Sequence, residues 1–246
     1  MRINTGIRLA LAAAVLAWPT LASAGDAPRF AMADEAIPAN SDTSTRLAPS
    51  SPAGKPQGAN FLGEVASNDA RLVADWVVAS GDNHGLPFAI VDKIRAKVFV
   101  FDNVGQLRGA TFALLGTARG DDSVPGIGSR KLSAIGPQDR TTPAGRFVAA
   151  LGHDFKQDIL WIDYGASISM HRVITGNPGD HRLQRLATPS PLDKRITYGC
   201  INVPVKFYED VVLKTFTGTN GVIYILPEIK KIADVFAMSG VKAPDR

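Results

Sequence analysis

The chain has 246 residues, 45% of them hydrophobic, 20% charged and 7% aromatic, with a formal charge of +4 at pH 7. That balance is ordinary for a water-soluble globular protein of one domain with a possible appendage. The small positive excess, spread along the chain, argues against a nucleic-acid binder, which concentrates its basic residues in a stripe.

Residues 1–24 read as a secretory signal peptide. Arg2 and Arg8 form the basic start, Leu9 to Trp18 the apolar centre, and Ala22-Ser23-Ala24 the small-residue cleavage site. The apolar run is short for a membrane span, and no later stretch is long enough for one. No cysteine follows it to take a lipid, so the expected product is periplasmic or otherwise exported, with no stable membrane anchor. Cleavage removes two arginines and no acids and leaves a formal charge of +2.

Residues 25–60 are rich in Ala, Pro, Ser, Thr and Asn and carry too little apolar surface to offset their ordering entropy, which predicts a flexible linker. A helical lead-in over 61–85 follows. Ser67 is placed to cap a helix from Asn68 to Ala79, and Leu72, Val73, Trp76 and Val77 form its apolar stripe. Strand texture takes over at Pro87–Asp92, Lys97–Asp102 and Gly109–Gly116, with a turn at Asn103–Gly105. The β-branched and aromatic run Val98 to Phe101 suits a strand covered on both faces.

Asp121–Gln138 reads as a loop, and its Gly-x-Gly lacks the strand-turn-helix context of a nucleotide site. Pro143 and Gly145 make a turn before a strand at Phe147–Ala150. Ile159–Tyr164 and Ser167–Val173 form a strand pair. Alternation in the second sets Ile168 and Met170 on one face and Ser167, Ser169 and His171 on the other. An amphipathic helix is expected over Val203–Phe216, a buried strand over Gly221–Leu226, and a C-terminal helix and tail over 229–246. Many short strands and few helices predict a mainly β, sandwich or barrel-like domain over 86–228 with a few peripheral helices.

The chemistry concentrates in Ile168–Pro204, which holds two of the four histidines, the only cysteine, and the hexapeptide Thr197-Tyr198-Gly199-Cys200-Ile201-Asn202. A lone cysteine in an exported chain makes no internal disulfide, so the thiol is inert, paired between chains, or reactive. Set at a junction with the helix expected from Val203, Cys200 would gain from unpaired N–H groups and the helix dipole, which favour thiolate. An unperturbed thiol has a pKa of about 8.5 and needs a base near neutral pH. His171, at the end of an apolar strand, is the candidate. Gly199 lets the chain turn sharply into Cys200 and lets substrate approach the backbone. The N–H groups of Tyr198, Gly199 and Cys200 are candidate oxyanion donors. Thr197 and Asn202 would fix the loop by hydrogen bonds, or Asn202 would cap the following helix. Tyr198 could orient substrate, and Arg172 and Arg195 could bind a substrate carboxylate. No Cys-x-x-Cys or His-x-x-x-His pair is present, so no metal site is read here.

Thr197, Gly199, Cys200, Ile201 and Asn202 fall on a Ser/Thr-His-Gly-Cys-hydrophobic-Asn/Arg motif, and at these residues the chain resembles the L,D-transpeptidases with a YkuD-type catalytic domain. The Thr-Pro-x-Gly-x-Phe element at Thr142–Phe147 also matches that family's order. Tyr198 stands where the family has a second histidine, and Asp180–Arg195 looks like an insertion. His181, separated from Thr197 by the fifteen residues 182–196, is the rival base because that spacing is close to the one usual in the family. The resemblance implies peptidoglycan stem peptides as substrate, L,D stereochemistry, a thioester on Cys200 and no cofactor. Water as acceptor would make the protein an L,D-carboxypeptidase, and loss of activity would leave a non-catalytic wall-binding protein of the same fold.

Overall fold

The structure is a computed structural model that describes residues 58–154 and 157–238. The signal peptide read at 1–24, nearly all of the linker at 25–60 and the tail after residue 238 lie outside the described residues. Among the described residues no helix is long and apolar enough to cross a membrane.

Helix α1 (Asn68–Ser80) begins where the Ser67 hydroxyl accepts the Ala70 N–H and ends at Gly81, whose φ of 71° is the left-handed conformation glycine adopts freely. Strands β1 (Phe88–Asp92), β2 (Lys97–Phe101), β3 (Leu107–Phe112) and β4 (Leu115–Gly116) follow. After the 121–139 segment come β5 (Gly145–Asp154), β6 (Gln157–Asp163) and β7 (Ile168–Arg172), then helix α2 (Arg182–Ala187), β8 (Arg195–Thr197), β9 (Ile201–Val203) and β10 (Gly221–Ile225). Eight of these strands form one sheet in the order β3-β2-β1-β10-β5-β6-β7-β9, and β4 pairs with β8. The pairs β1–β10 and β7–β9 are parallel; the other neighbours in the large sheet are antiparallel.

The sheet curls toward a closed barrel. Its two ends meet through residues Leu114 and Asn202, which exchange backbone hydrogen bonds of 2.8 and 2.9 Å. Pairing the edges removes exposed N–H and C=O groups that would otherwise template association.

Both faces of the central strands are buried, as expected for Val98 to Phe101. On β1, Ala89 and Val91 enter one core while Phe88 and Ile90 enter another; on β2, Val98 and Val100 divide from Phe99 and Phe101 in the same way. The first core is closed by a helical run through Val205–Phe207, a π-helical Tyr208–Leu213 and Lys214–Phe216, which buries Tyr208, Val212 and Phe216. The second is closed by α1 through Ala70, Val73, Ala74 and Val77. Each such fully buried Val or Phe contributes roughly 1.5–3 kcal/mol relative to exposure.

Two expectations, for the helix after the cysteine and for the C-terminal helix, need correction. The helix after the cysteine starts at Val205, not Val203, because β9 intervenes: Ile201 and Val203 are buried and Asn202 pairs with Leu114. The 180–195 insertion contains helix α2 and is tied down by its own contacts. Buried Lys194 donates to the carbonyls of Arg185, Leu186 and Thr188, which caps the end of α2, and Leu186 packs with Leu114 and Val173. Among the described residues the C-terminal helix covers Ile232–Val235, and it starts after 229 because the N–H groups of Glu228, Ile229 and Lys230 all donate to the Asp121 carboxylate.

Asp121 also receives the ammonium of Lys93 at 2.8 Å, with both side chains buried. Burial alone would raise the Asp121 pKa, but the Lys230 amide, Lys93 and the Glu228 and Ile229 amides hold it below its ordinary 3.8, at about 2. The stability this carboxylate confers is therefore complete above pH ~4. It is lost as pH falls through about 2. Lys93→Ala leaves Asp121 buried without its cation. It is expected to cost about 3–5 kcal/mol in denaturant unfolding at pH 7. A wild-type melting temperature that does not fall between pH 4 and pH 2 would contradict the Asp121 account.

Candidate active site

The site is built on the parallel ladder between β7 and β9. Its register pairs Met170 with Ile201 and His171 with Asn202, so Ser169 lies beside Cys200. Ile168 and Met170 face the core, and Ser169 and His171 turn to the other side, as the alternation predicts. The Cys200 sulfur lies 3.6 Å from Ser169 Oγ and 3.5 Å from the Ser167 carbonyl oxygen. Ser167 holds a φ of 55°, rare for a residue with a β-carbon, and its hydroxyl donates to the Gly128 carbonyl at 3.1 Å.

The turn into Cys200 is fixed from several sides. The Thr197 hydroxyl donates to the Cys200 carbonyl at 2.7 Å and accepts the Gly199 N–H at 3.1 Å. The Gly199 carbonyl accepts the Thr142 hydroxyl at 2.7 Å. Gly199 has a φ of 132°, and a β-carbon there would sit 2.7 Å from the Thr141 carbonyl oxygen, so only glycine fits. The Thr-Pro-x-Gly-x-Phe element is thus the clamp on the hexapeptide. Thr197 is buried and committed to the turn, and the Gly199 N–H, expected as an oxyanion donor, is already taken by Thr197.

A cavity of about 100 Å³ opens on the sulfur, lined by Cys200, Tyr198, Ile127, Arg130, Leu132 and Ile135 among others. The 121–139 segment roofs it with three short turns, Ile127–Ser129, Leu132–Ala134 and Pro137–Asp139. Tyr198 faces this cavity under the Arg140 guanidinium, 3.9 Å from the ring centroid. Arg130 and Ser123, which line it too, escaped the sequence reading because only the folded segment carries them to the thiol. The Ser123 hydroxyl oxygen is buried there without a hydrogen-bond partner. A larger cavity of about 290 Å³, beside Asp92, Arg95 and Lys97, contains neither Cys200 nor His171.

His171 is half-buried, whereas His84, His153 and His181 are exposed. Its Nδ1 lies 2.7 Å from the Arg172 carbonyl oxygen and its Nε2 3.1 Å from Asn202 Nδ2. Asn202 Oδ1 in turn accepts from Arg182 at 3.0 Å. Asn202 is therefore a partner of the histidine and not a helix cap; the residue before the following helix is Pro204. His181 ends a turn at a φ of 51° and leads into α2.

The two guanidinium groups expected to bind substrate are engaged internally. Arg172 pairs with Asp158 at 3.1 Å and Glu209 at 3.2 Å, and Arg195 grips Glu228 at 2.7 Å. Neither presents a free fork to a ligand carboxylate. Among the described residues no group of three or more His, Cys, Asp or Glu side chains comes together to hold a metal.

Burial pushes the Cys200 thiol up, against weaker opposing hydrogen bonds from the Ser169 hydroxyl and N–H. Burial likewise pushes His171 down, opposed by the Arg172 carbonyl and assisted by the Arg182 charge. The resting pair is thus neutral thiol and neutral imidazole. The helix dipole invoked for Cys200 is not available, since β9 separates the residue from the helix. Alkylation by iodoacetamide is expected to rise with pH along a profile displaced above that of a free cysteine, and Ser169→Ala should displace it further upward. A midpoint below the free-thiol value in stopped-flow alkylation would contradict this electrostatic reading.

No family model matches the sequence, and no curated protein matches it. Similar solved structures do exist. The catalytic domain of an L,D-transpeptidase from E. faecium is 14% identical, with 57% of this chain and 96% of that one covered and a TM-score of 0.35. The helical cell shape determining protein Pgp2 from Campylobacter jejuni, as its K307A mutant, is 14% identical, with 68% and 58% covered and a TM-score of 0.38. An L,D-transpeptidase from Mycobacterium smegmatis is 12% identical, with 57% and 58% covered and a TM-score of 0.34. The chain thus spans under two thirds of the length of the last two proteins. The structures to which it is similar include L,D-transpeptidases, the family its hexapeptide resembles.

Proposed function

We propose that this protein is an exported cysteine acyltransferase that cleaves and cross-links peptidoglycan stem peptides through a thioester on Cys200. One observation carries the reading: the only thiol opens into a cavity, and the strand that follows it is hydrogen-bonded to the strand of His171, the least exposed of the four histidines. The substrate class and the L,D stereochemistry come from the hexapeptide's resemblance to the L,D-transpeptidases.

In this mechanism the acyl carbonyl of the stem enters the cavity against the sulfur. The thiol proton passes to the Nε2 lone pair of His171 as that lone pair gives up the Asn202 amide, with the Ser169 hydroxyl, 3.6 Å from the sulfur, on the path between them. The imidazolium that forms keeps its Nδ1–H on the Arg172 carbonyl. The thiolate adds to the carbonyl, and the backbone N–H groups of Tyr198 and Cys200 receive the oxyanion. His171 returns the proton to the departing amine of the terminal D-amino acid, and the thioester remains. An amine from a second stem closes a cross-link; water would complete a carboxypeptidase reaction. No metal or organic cofactor takes part.

One observation favours a second reading, a non-catalytic wall-binding protein: the His171 lone pair is held by Asn202 while the thiol stays protonated. Mass spectrometry of muropeptides carrying tetrapeptide stems separates the two. The wild-type protein is expected to release the terminal D-amino acid and form dimers, and Cys200→Ala to do neither. Removing the base in His171→Gln should lower the rate about 10²–10⁴-fold. Release without dimers would identify the carboxypeptidase. Retention of activity in Cys200→Ala would overturn the nucleophile assignment, and an inactive wild type that binds sacculi would establish the binder.

A further inference from the structure

The insertion between His171 and the hexapeptide reaches back to the histidine. Asp180 accepts from Arg182 Nε at 2.8 Å, and the other arm of the same guanidinium donates to Asn202 Oδ1 at 3.0 Å. Arg182 opens α2, and its helix is held by Arg185, which donates to the carbonyls of Asp180 and Asp193, and by buried Lys194. Arg182 is thus carried on a braced element.

The hydrogen-bond inventory fixes what this contact does. A guanidinium only donates, so the Asn202 atom facing it is the carbonyl oxygen. The amide nitrogen then faces His171 and can only donate, so Nε2 carries the lone pair. The ring proton is left on Nδ1, where the Arg172 carbonyl accepts it at 2.7 Å. Each link admits one polarity, and the first is set by Arg182.

We propose that Arg182 is a positioning residue that, through Asn202, holds His171 as the Nδ1–H tautomer, with the Asn202 amide occupying the basic Nε2 lone pair until an incoming proton displaces it. The insertion then serves the reaction rather than lying over it as a lid. This rests on the acyltransferase reading for its purpose, but the tautomer itself stands on geometry alone. Charged groups around the ring act in both senses: Arg182 opposes protonation and Asp154, at the end of β5, favours it. The Arg172 guanidinium is neutralised by Asp158 and Glu209.

The test is ¹⁵N NMR of the His171 ring in the wild-type protein, Arg182→Met, Arg182→Lys and Asn202→Asp. The wild type is expected to show a protonated Nδ1 and an unprotonated Nε2. In Arg182→Met the Asn202 amide is free to turn, so an Nε2–H population should appear and the His171 titration midpoint should rise. Asn202→Asp, which offers only acceptors and still pairs with Arg182, should move both further in the same direction, and Arg182→Lys should restore the wild-type spectrum. The acid limb of the acyl-transfer pH profile should follow the same order. An unchanged tautomer and midpoint in both Arg182→Met and Asn202→Asp, with the fold intact by amide spectra, would overturn the relay. Ring shifts as expected in a wild-type protein that transfers no acyl group would leave the relay standing and sink the acyltransferase reading instead.

Discussion

The organisation of this protein depends on Asn202. Its backbone exchanges two hydrogen bonds with Leu114 and so joins the ends of the eight-stranded sheet. Its side chain, buried at 1% exposure, holds His171 on one side and Arg182 on the other. A buried amide left unsatisfied costs roughly 1–3 kcal/mol, so both contacts are enforced by the barrel that closes around them. Barrel closure and imidazole orientation are therefore one constraint, and Cys200, two residues earlier on the same chain, inherits its position from it.

The electrostatics of the site follow from enclosure. Burial opposes charge on both the thiol and the imidazole, and the helix that would have favoured a thiolate starts too late to help. The resting pair is therefore neutral thiol and neutral imidazole. In the proposed reaction charge would develop beside groups already fixed in place: the Thr197-braced turn, the Thr142 clamp, and the Arg172 carbonyl that accepts the imidazole N–H. The Lys93–Asp121 pair stabilises the same region from behind, since Lys93 also donates to the carbonyls of Gly120 and Thr142, beside the roof and the clamp.

Local signals carried much of the fold. Ser67 and Gly81 bracket α1 because capping is decided within a few residues, and the alternation over Ile168–His171 placed the histidine off the core because a strand has period two. The hexapeptide marked Cys200 for the same reason, being contiguous. What stayed illegible depends on distant partners. Nothing beside Ile201 announces that Leu114 will pair with Asn202 and draw those residues into a strand. Nothing in the polar 180–195 stretch shows that Lys194 will be buried to cap α2, or that Arg182 will reach Asn202. Arg172 and Arg195 read as free cations until the sheet brings Asp158, Glu209 and Glu228 against them.

The central claim is that Cys200 accepts an acyl group with His171 as its base. Intact-protein mass spectrometry, after brief mixing with a synthetic stem tetrapeptide and acid quenching, tests it at the bond itself. The account predicts a mass increase equal to the tripeptide acyl group, located on Cys200, removed by hydroxylamine and much reduced in His171→Gln. An unmodified Cys200 in a folded protein whose thiol still titrates with a disulfide reagent, or an adduct formed equally fast in His171→Gln, would contradict it.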